Sequence, residues 1–300
     1  MKKLSLFLAL FSFGIALSVN GQQDVYTRLF YYNPGMYNPA ATGLESKNFL
    51  TTGFNTWWTK RDDHPFRFNL AYERTIDKIN SSAAVYYFNS SVGFSSTNTL
   101  GISYSYKFKF SDVHFLKIGI QLNVIRYLID FSGLDSGDPA LQYEHRSAIK
   151  PDMNLGIWYS WKNLNIGSSF VNIFRPTFIP FEADDKDDGL KLRSFVTFLA
   201  KYQINLSKSF ALTPAIYYFA YSNFNLNGYE DYTDYGLNLG FRKIVNLGLV
   251  YSPNRVSQWT IFAGGKIVQK INIQFSYGIP SNNKMDIGPY FEALVSYSIN

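Results

Sequence analysis

The stretch GISYSYKFKF, residues 101–110, decides the fold. In an extended chain Ile102, Tyr104, Tyr106, Phe108 and Phe110 fall on one face, and Gly101, Ser103, Ser105, Lys107 and Lys109 fall on the other, because successive strand side chains point to opposite sides. The period recurs downstream. Leu116, Ile118, Ile120, Leu122 and Val124 alternate with Lys117, Gly119, Gln121 and Asn123. Ile271, Ile273, Phe275, Tyr277 and Ile279 alternate with Asn272, Gln274, Ser276 and Gly278, and Phe291 to Ile299 repeats the pattern at the chain end. A soluble sandwich alternates too, so length has to arbitrate. These segments run roughly 9 to 12 residues, enough for a tilted strand to cross hydrocarbon, against about 5 to 6 for an ordinary strand. Trp57, Trp58, Phe110, Tyr127, Trp161, Tyr251 and Trp259 sit near segment ends, where the aromatic girdles of a membrane barrel belong.

The reading is therefore all-β, a transmembrane antiparallel β-barrel. Strands are expected near 47–58, 65–76, 82–90, 98–110, 114–127, 151–161, 163–172 and 191–204, then near 209–222, 232–242, 244–252, 256–266, 268–279 and 287–300. That is about fourteen, an even number, as single-chain bacterial barrels prefer. Tight connections are expected at Ser111-Asp112, Lys162-Asn163 and Ser281-Asn282-Asn283, and long ones from Asp130 to Lys150 and from Phe174 to Leu190. The first and last strands must pair, because lipid satisfies no open edge.

Composition agrees. Aromatic residues make up 18 % of the 300 residues and charged residues only 17 %, the reverse of a disordered chain. Beyond residue 17 there is no apolar run of the ~18 residues that a spanning helix needs. With no cysteine, disulfides, thiolate–metal centres and thiol nucleophiles are excluded. Net charge is +6, or 26 − 22 = +4 without Lys2 and Lys3, and it is spread with no basic run. That pattern gives no support to a nucleic-acid partner.

Met1-Lys2-Lys3 followed by Leu4 to Leu17 has the charged and apolar regions of a signal peptide, expected to span 1–21. Residues 22–46 then form a lead-in to the barrel of 47–300. This segment carries Tyr26, Phe30, Tyr31, Tyr32, Met36 and Tyr37, broken by Asn33-Pro34 and Asn38-Pro39. A residue before proline is pushed toward extended geometry, so the lead-in is read as extended. So many large hydrophobes need burial, either as a plug in the lumen or against a partner protein.

No chemistry-bearing constellation emerges. His64, His114 and His145 have no metal-ligand spacing and read as loop or rim residues. Asp184-Asp185-Lys186-Asp187-Asp188-Gly189 fails as a calcium loop, since Lys186 stands at a ligand position and Phe195 where the bidentate Glu belongs. It is a solvated loop. Leu134 to Ala140 has turn residues. No catalytic residue, cofactor site or metal site is assigned.

The lead-in carries a family likeness. Tyr26-Thr27-Arg28-Leu29-Phe30, Asn33-Pro34 and Tyr37-Asn38-Pro39-Ala40-Ala41-Thr42-Gly43 resemble the opening of the PorP/SprF outer-membrane proteins of the type IX secretion system of Bacteroidota. Trp57-Trp58, the Asp-Pro loop at 134–140 and the hairpin Pro151 to Ser169 are similar to further elements of that family. The resemblance implies a barrel of about fourteen strands without catalytic activity, in the outer membrane and surrounded by its lipid. It also implies a protein partner: either the periplasmic ring of the secretion apparatus or the C-terminal region of a secreted adhesin, including gliding adhesins. Tyr26, Phe30, Asn33, Pro34, Tyr37, Asn38 and Pro39 are the candidate partner-binding residues. A porin or small-solute or fatty-acid channel is the alternative, and an outer-membrane hydrolase using one of the three histidines a third.

Overall fold

The computed structural model describes residues 27–57, 64–130, 145–178, 190–221, 231–253, 259–279 and 288–299. Alternation turns into strands wherever the sequence carries it. The first seven are β1 (Asn48–Trp57), β2 (Phe66–Ile76), β3 (Ser81–Val92), β4 (Ser95–Ser111), β5 (His114–Asp130), β6 (His145–Trp161) and β7 (Leu164–Val171). The others are β8 (Phe195–Tyr202), β9 (Phe210–Tyr221), β10 (Tyr232–Phe241), β11 (Val245–Tyr251), β12 (Trp259–Val268), β13 (Ile271–Ile279) and β14 (Tyr290–Ile299). Each strand pairs antiparallel with the next. β14 returns to β1 in register from Asn48↔Ile299 to Trp57↔Tyr290, so no edge is left open to lipid.

The faces are distributed as an outer-membrane barrel requires. Ile102 is 57 % exposed and Phe110 61 %, whereas Ser103 is 4 % exposed and Ser105 0 %. In a soluble sandwich the apolar face would be the covered one. On β4 the apolar row runs from Leu100 to Phe110, which at about 3.4 Å per residue and a tilt near 40° spans about 25 Å, the height of the apolar band in such barrels.

β4 starts at Ser95 and β6 at His145, earlier than the expected 98 and 151. Their first residues are polar and carry no hydrophobic alternation, because they rise above the lipid-facing band. The long connection after Asp130 is correspondingly shorter than read from sequence. The expected turn at Ser281-Asn282-Asn283, the turn at 134–140 and the acidic run 184–189 lie outside the described residues, as do Tyr26 and Trp58.

Short turns after β2, β4, β6, β8, β10 and β12 share one rim with the chain entry at Asn48 and the end of β14 at Ile299. The longer connections lie at the other rim, along with the tight Val92–Ser95 turn. In outer-membrane barrels short turns face the periplasm and longer loops the exterior, which orients the molecule. His114 begins β5 at the inner rim, packed edge-on to Tyr159 and accepting or donating a 3.1 Å hydrogen bond to its hydroxyl. His64 is exposed just before β2.

The apolar core lies inside the cylinder. Leu29, Phe30, Tyr31, Ala40 and Ala41 of the lead-in pack against Trp158, Leu199, Tyr217, Phe219, Val250 and Phe262 of the inner wall. This explains why β8 and β9 carry hydrophobes on both faces: one meets lipid, and the other meets the lead-in.

Candidate functional site

The lead-in is the body that fills the lumen. Asn38 (φ −132°, ψ 107°) keeps the extended geometry that a following proline favours, while Asn33 (φ −150°, ψ 78°) stays out of the helical region without reaching it. Between and after them the chain is not extended but winds into two 3-10 turns, Pro34–Met36 and Pro39–Ala41. Proline pre-sets φ for the first position of such a turn and has no N–H to leave unpaired. At the second turn the Asn38 side chain also accepts a hydrogen bond from Ala40 N at 2.9 Å.

Three sets of contacts hold this plug. Toward the outer rim, the Arg28 guanidinium lies 3.2 Å from Asp234 on β10 and donates to Ser252 Oγ at 2.5 Å. Arg28 N donates to Glu292 of β14 at 2.8 Å and Leu29 N at 3.3 Å, and the Thr27 hydroxyl donates to the same carboxylate. Tyr290 OH reaches Glu292 at 3.0 Å. A buried pair of this kind is worth little net, but removing one member strands the other charge. All members of the latch are nearly fully buried.

In the middle, Asn38 Nδ2 donates to Ile157 O at 2.9 Å on β6 and to Ser168 O at 3.1 Å on β7. Ser169 Oγ donates to Tyr37 O at 2.8 Å. The wall beneath this turn lacks side chains. A Cβ at Gly119 would collide with Pro39 and Ala40, one at Gly156 with Asn38, and one at Gly167 with Trp158 while lying 2.9 Å from Asn38 Nδ2. Gly119 and Gly156 face each other across β5 and β6. Together these glycines form the seat of the Asn38-Pro39-Ala40 turn.

Toward the inner rim, Gly43 N donates to Glu73 on β2 at 2.6 Å, and Thr75 Oγ1 donates to Gly43 O at 3.0 Å. Thr42 bonds the hydroxyls of Tyr86 and Ser103, each at 3.1 Å, and its carbonyl accepts from the Lys117 ammonium. On the opposite wall Lys201 donates to Tyr31 O at 3.2 Å, and Asn246 to Tyr32 OH at 2.5 Å. Burial holds the Tyr31 phenol well above its ordinary pKa, so it remains neutral and can donate to Thr213 O.

Of the residues read from sequence as partner-binding, Phe30, Asn33, Pro34, Asn38 and Pro39 are buried inside the barrel, Tyr37 is half-buried and Tyr26 lies outside the described residues. Asn33 is 2 % exposed, and its amide has no hydrogen-bond partner among the described residues. Met36 and Tyr37 form the floor of a cavity of about 290 Å³ in the outer half of the lumen, walled by Arg67, Phe88, Asn123, Asn154, Arg193 and Tyr217. Sequence reasoning missed the wall residues Glu73, Lys117, Asp234 and Glu292. Their available signal was a charge on the inward row of a strand: alone among Gly, Gln and Asn for Lys117, with Tyr232, Gly236 and Asn238 for Asp234, with Arg67 for Glu73, and with Tyr290 and Leu294 for Glu292.

Among solved structures the chain is similar to the CymD monoaromatic hydrocarbon channel, at 13 % identity and TM-score 0.53 over 89 % of this chain and 93 % of that one. It is similar also to the Ralstonia pickettii toluene transporter TbuX (12 %, TM-score 0.52, 87 % and 92 % covered). The Pseudomonas putida toluene transporter TodX gives 13 %, TM-score 0.50, and 89 % and 93 % covered. At such identities the likeness speaks for the fold alone, a barrel of the outer-membrane type. No curated protein matches the chain. The family model described as type IX secretion system membrane protein PorP/SprF matches residues 19–297. With that match over nearly its whole length and a closed barrel whose apolar face looks outward, the chain belongs to the PorP/SprF family of type IX secretion system membrane proteins of the outer membrane.

Proposed function

We propose that this protein works without catalysis, as a plugged outer-membrane barrel that holds a protein partner for type IX secretion. The partner is either the C-terminal region of a secreted adhesin or the periplasmic ring complex, and the outcome is secretion, surface anchoring or gliding. The observation that carries this reading is the filled lumen. From Thr27 to Gly43 the lead-in is bonded to strands on opposite sides of the wall, and the cavity above Met36 and Tyr37 is about 290 Å³. A barrel occupied in this way is better suited to docking than to free conduction.

Within that reading Tyr37 is the lead-in residue nearest a partner, because it faces the outer cavity. Phe30, Asn33, Pro34, Asn38 and Pro39 are buried members of the same segment, and Tyr26 lies upstream of them in the sequence. Replacing Tyr37, Asn38 and Pro39 together should release the partner while heat-modifiable barrel migration persists. Unchanged partner recovery would reduce the lead-in to a plug alone.

The channel reading keeps one specific support, the shared fold with hydrocarbon channels. Single-channel recording with and without residues 27–43 separates the two. A binding barrel is closed with the segment and conducts without it, whereas a working channel passes solute with the plug in place.

A further inference from the structure

We propose that the periplasmic rim is a docking face for an acidic protein surface that covers the mouth of the barrel. The proposal rests on the reading above, that the chain acts by holding a protein partner. Cations scattered through the sequence are gathered by the meander at one end. Each of the six turns at that rim presents at least one exposed cation: Lys78 after β2, Lys109 beside the turn after β4, Lys162 after β6, Lys208 after β8, Arg242-Lys243 after β10 and Lys270 after β12. Lys47 adds another where the chain enters β1. Among the described residues, the exposed acids there are Glu45, Asp77 and Asp112. Two of these lie in ion pairs, Lys47–Asp77 at 3.8 Å and Lys109–Asp112 at 2.7 Å. The surplus is positive. By sequence the outer connections 131–144 and 222–231 carry acids and no Lys or Arg: Asp135, Asp138 and Glu144 in the first, Glu230 and Asp231 in the second.

The backbone gives a second reason to regard these cations as placed. Lys162, Arg242 and Lys243 have φ of 54°, 51° and 58°, a left-handed conformation that an ordinary L-residue disfavours. Ile244 N closes the turn onto Phe241 O at 3.0 Å, with both central residues left-handed, the arrangement that prefers Asn-Gly. Arg-Lys therefore stands where a neutral pair would fold better, and such a local conflict calls for a gain elsewhere.

A third observation chooses between lipid and protein. Phospholipid encircles the barrel and could reach the turns from outside. Lys107 and Lys266, however, belong to the lumen-facing rows of β4 and β12, opposite the lipid-facing Phe108 and Ile267. Only a body lying across the mouth meets both the turn cations and these. Complementary charge would then set orientation and encounter rate, with affinity falling as salt rises.

The test uses the full-length protein in its own outer membrane. A photo-crosslinking amino acid replaces Ile244 and, as the outer-rim control, Phe94. Irradiation should give a protein adduct at position 244, absent from 94, whose partner carries net negative charge. Reversal of Arg242→Glu, Lys243→Glu and Lys270→Glu should cut that adduct about tenfold or more, with heat-modifiable migration retained. Should the triple variant fold poorly, Lys270→Glu alone and a salt titration of wild-type membranes provide the same readout. Lipid adducts only, a basic partner, or an adduct indifferent to reversal and to salt would each overturn the proposal. Normal secretion without an adduct at 244 removes the docking face but leaves the secretion reading standing; that reading fails instead if a strain lacking the whole chain secretes normally.

Discussion

The seat of the plug can be tested with one methyl group. Gly156→Ala puts a Cβ onto Asn38 Oδ1 and 3.0 Å from both Ala40 N and Pro39 Cδ, on a wall strand that cannot retreat. Two responses are open to the chain. It can bear the overpacking, at about 1–3 kcal/mol. Alternatively, it can lift the Asn38-Pro39-Ala40 turn and give up the bonds to Ile157 O and Ser168 O, worth about 0.5–1.5 kcal/mol each. The cheaper response sets the cost at about 2 kcal/mol, which raises the population of the lifted turn about 30-fold at 1.4 kcal/mol per decade. Because the chain has no cysteine, Ala41→Cys serves as a single buried reporter, and its alkylation rate follows that population. Gly240→Ala is the matched control, since its added Cβ meets nothing nearer than Ala211 O at 3.8 Å. Gly156→Ala should label about 30-fold faster than the Ala41→Cys parent, and Gly240→Ala at the parent rate, with both barrels intact by gel migration. Equal rates in all three would refute the seat.

Other perturbations test other parts. Arg28→Met should lower the temperature at which heat-modifiable migration is lost, since breaking one side of a buried pair costs about 3–5 kcal/mol. Adding Asp234→Leu should recover most of that loss. Ile120→Arg faces lipid near mid-height of β5 and should cost about 2–4 kcal/mol, read as reduced assembly on the same gels, whereas Gln121→Ser on the inner face should assemble normally. Deleting residues 27–43 should convert closed barrels into open ones in planar bilayers.

Much of the architecture was legible because a strand's period of two writes both environments directly into the residues. Ile118, Ile120, Leu122 and Val124 look at lipid and Gln121 and Asn123 look inward, as their alternation says. The lead-in announced its burial through its aromatics, and Phe30 is 0 % exposed. Its path was not legible. The seat depends on Gly119, Gly156 and Gly167, which lie on three strands and meet only once those strands pair. The latch depends on Glu292, some 264 residues beyond Arg28, and no local pattern links them. The rim charge escaped notice for the same reason: its cations sit one or two per turn, and only the meander stacks them at one end.

Glu292 belongs to the last strand, the one that completes the cylinder against β1, and it also grips the amides of Arg28 and Leu29. The seam of the ring and the outer end of its stopper thus draw on one strand. Without that strand the barrel keeps two of the three grips on its cork and loses the one nearest the exterior. Weakening that strand should therefore loosen cork and seam together.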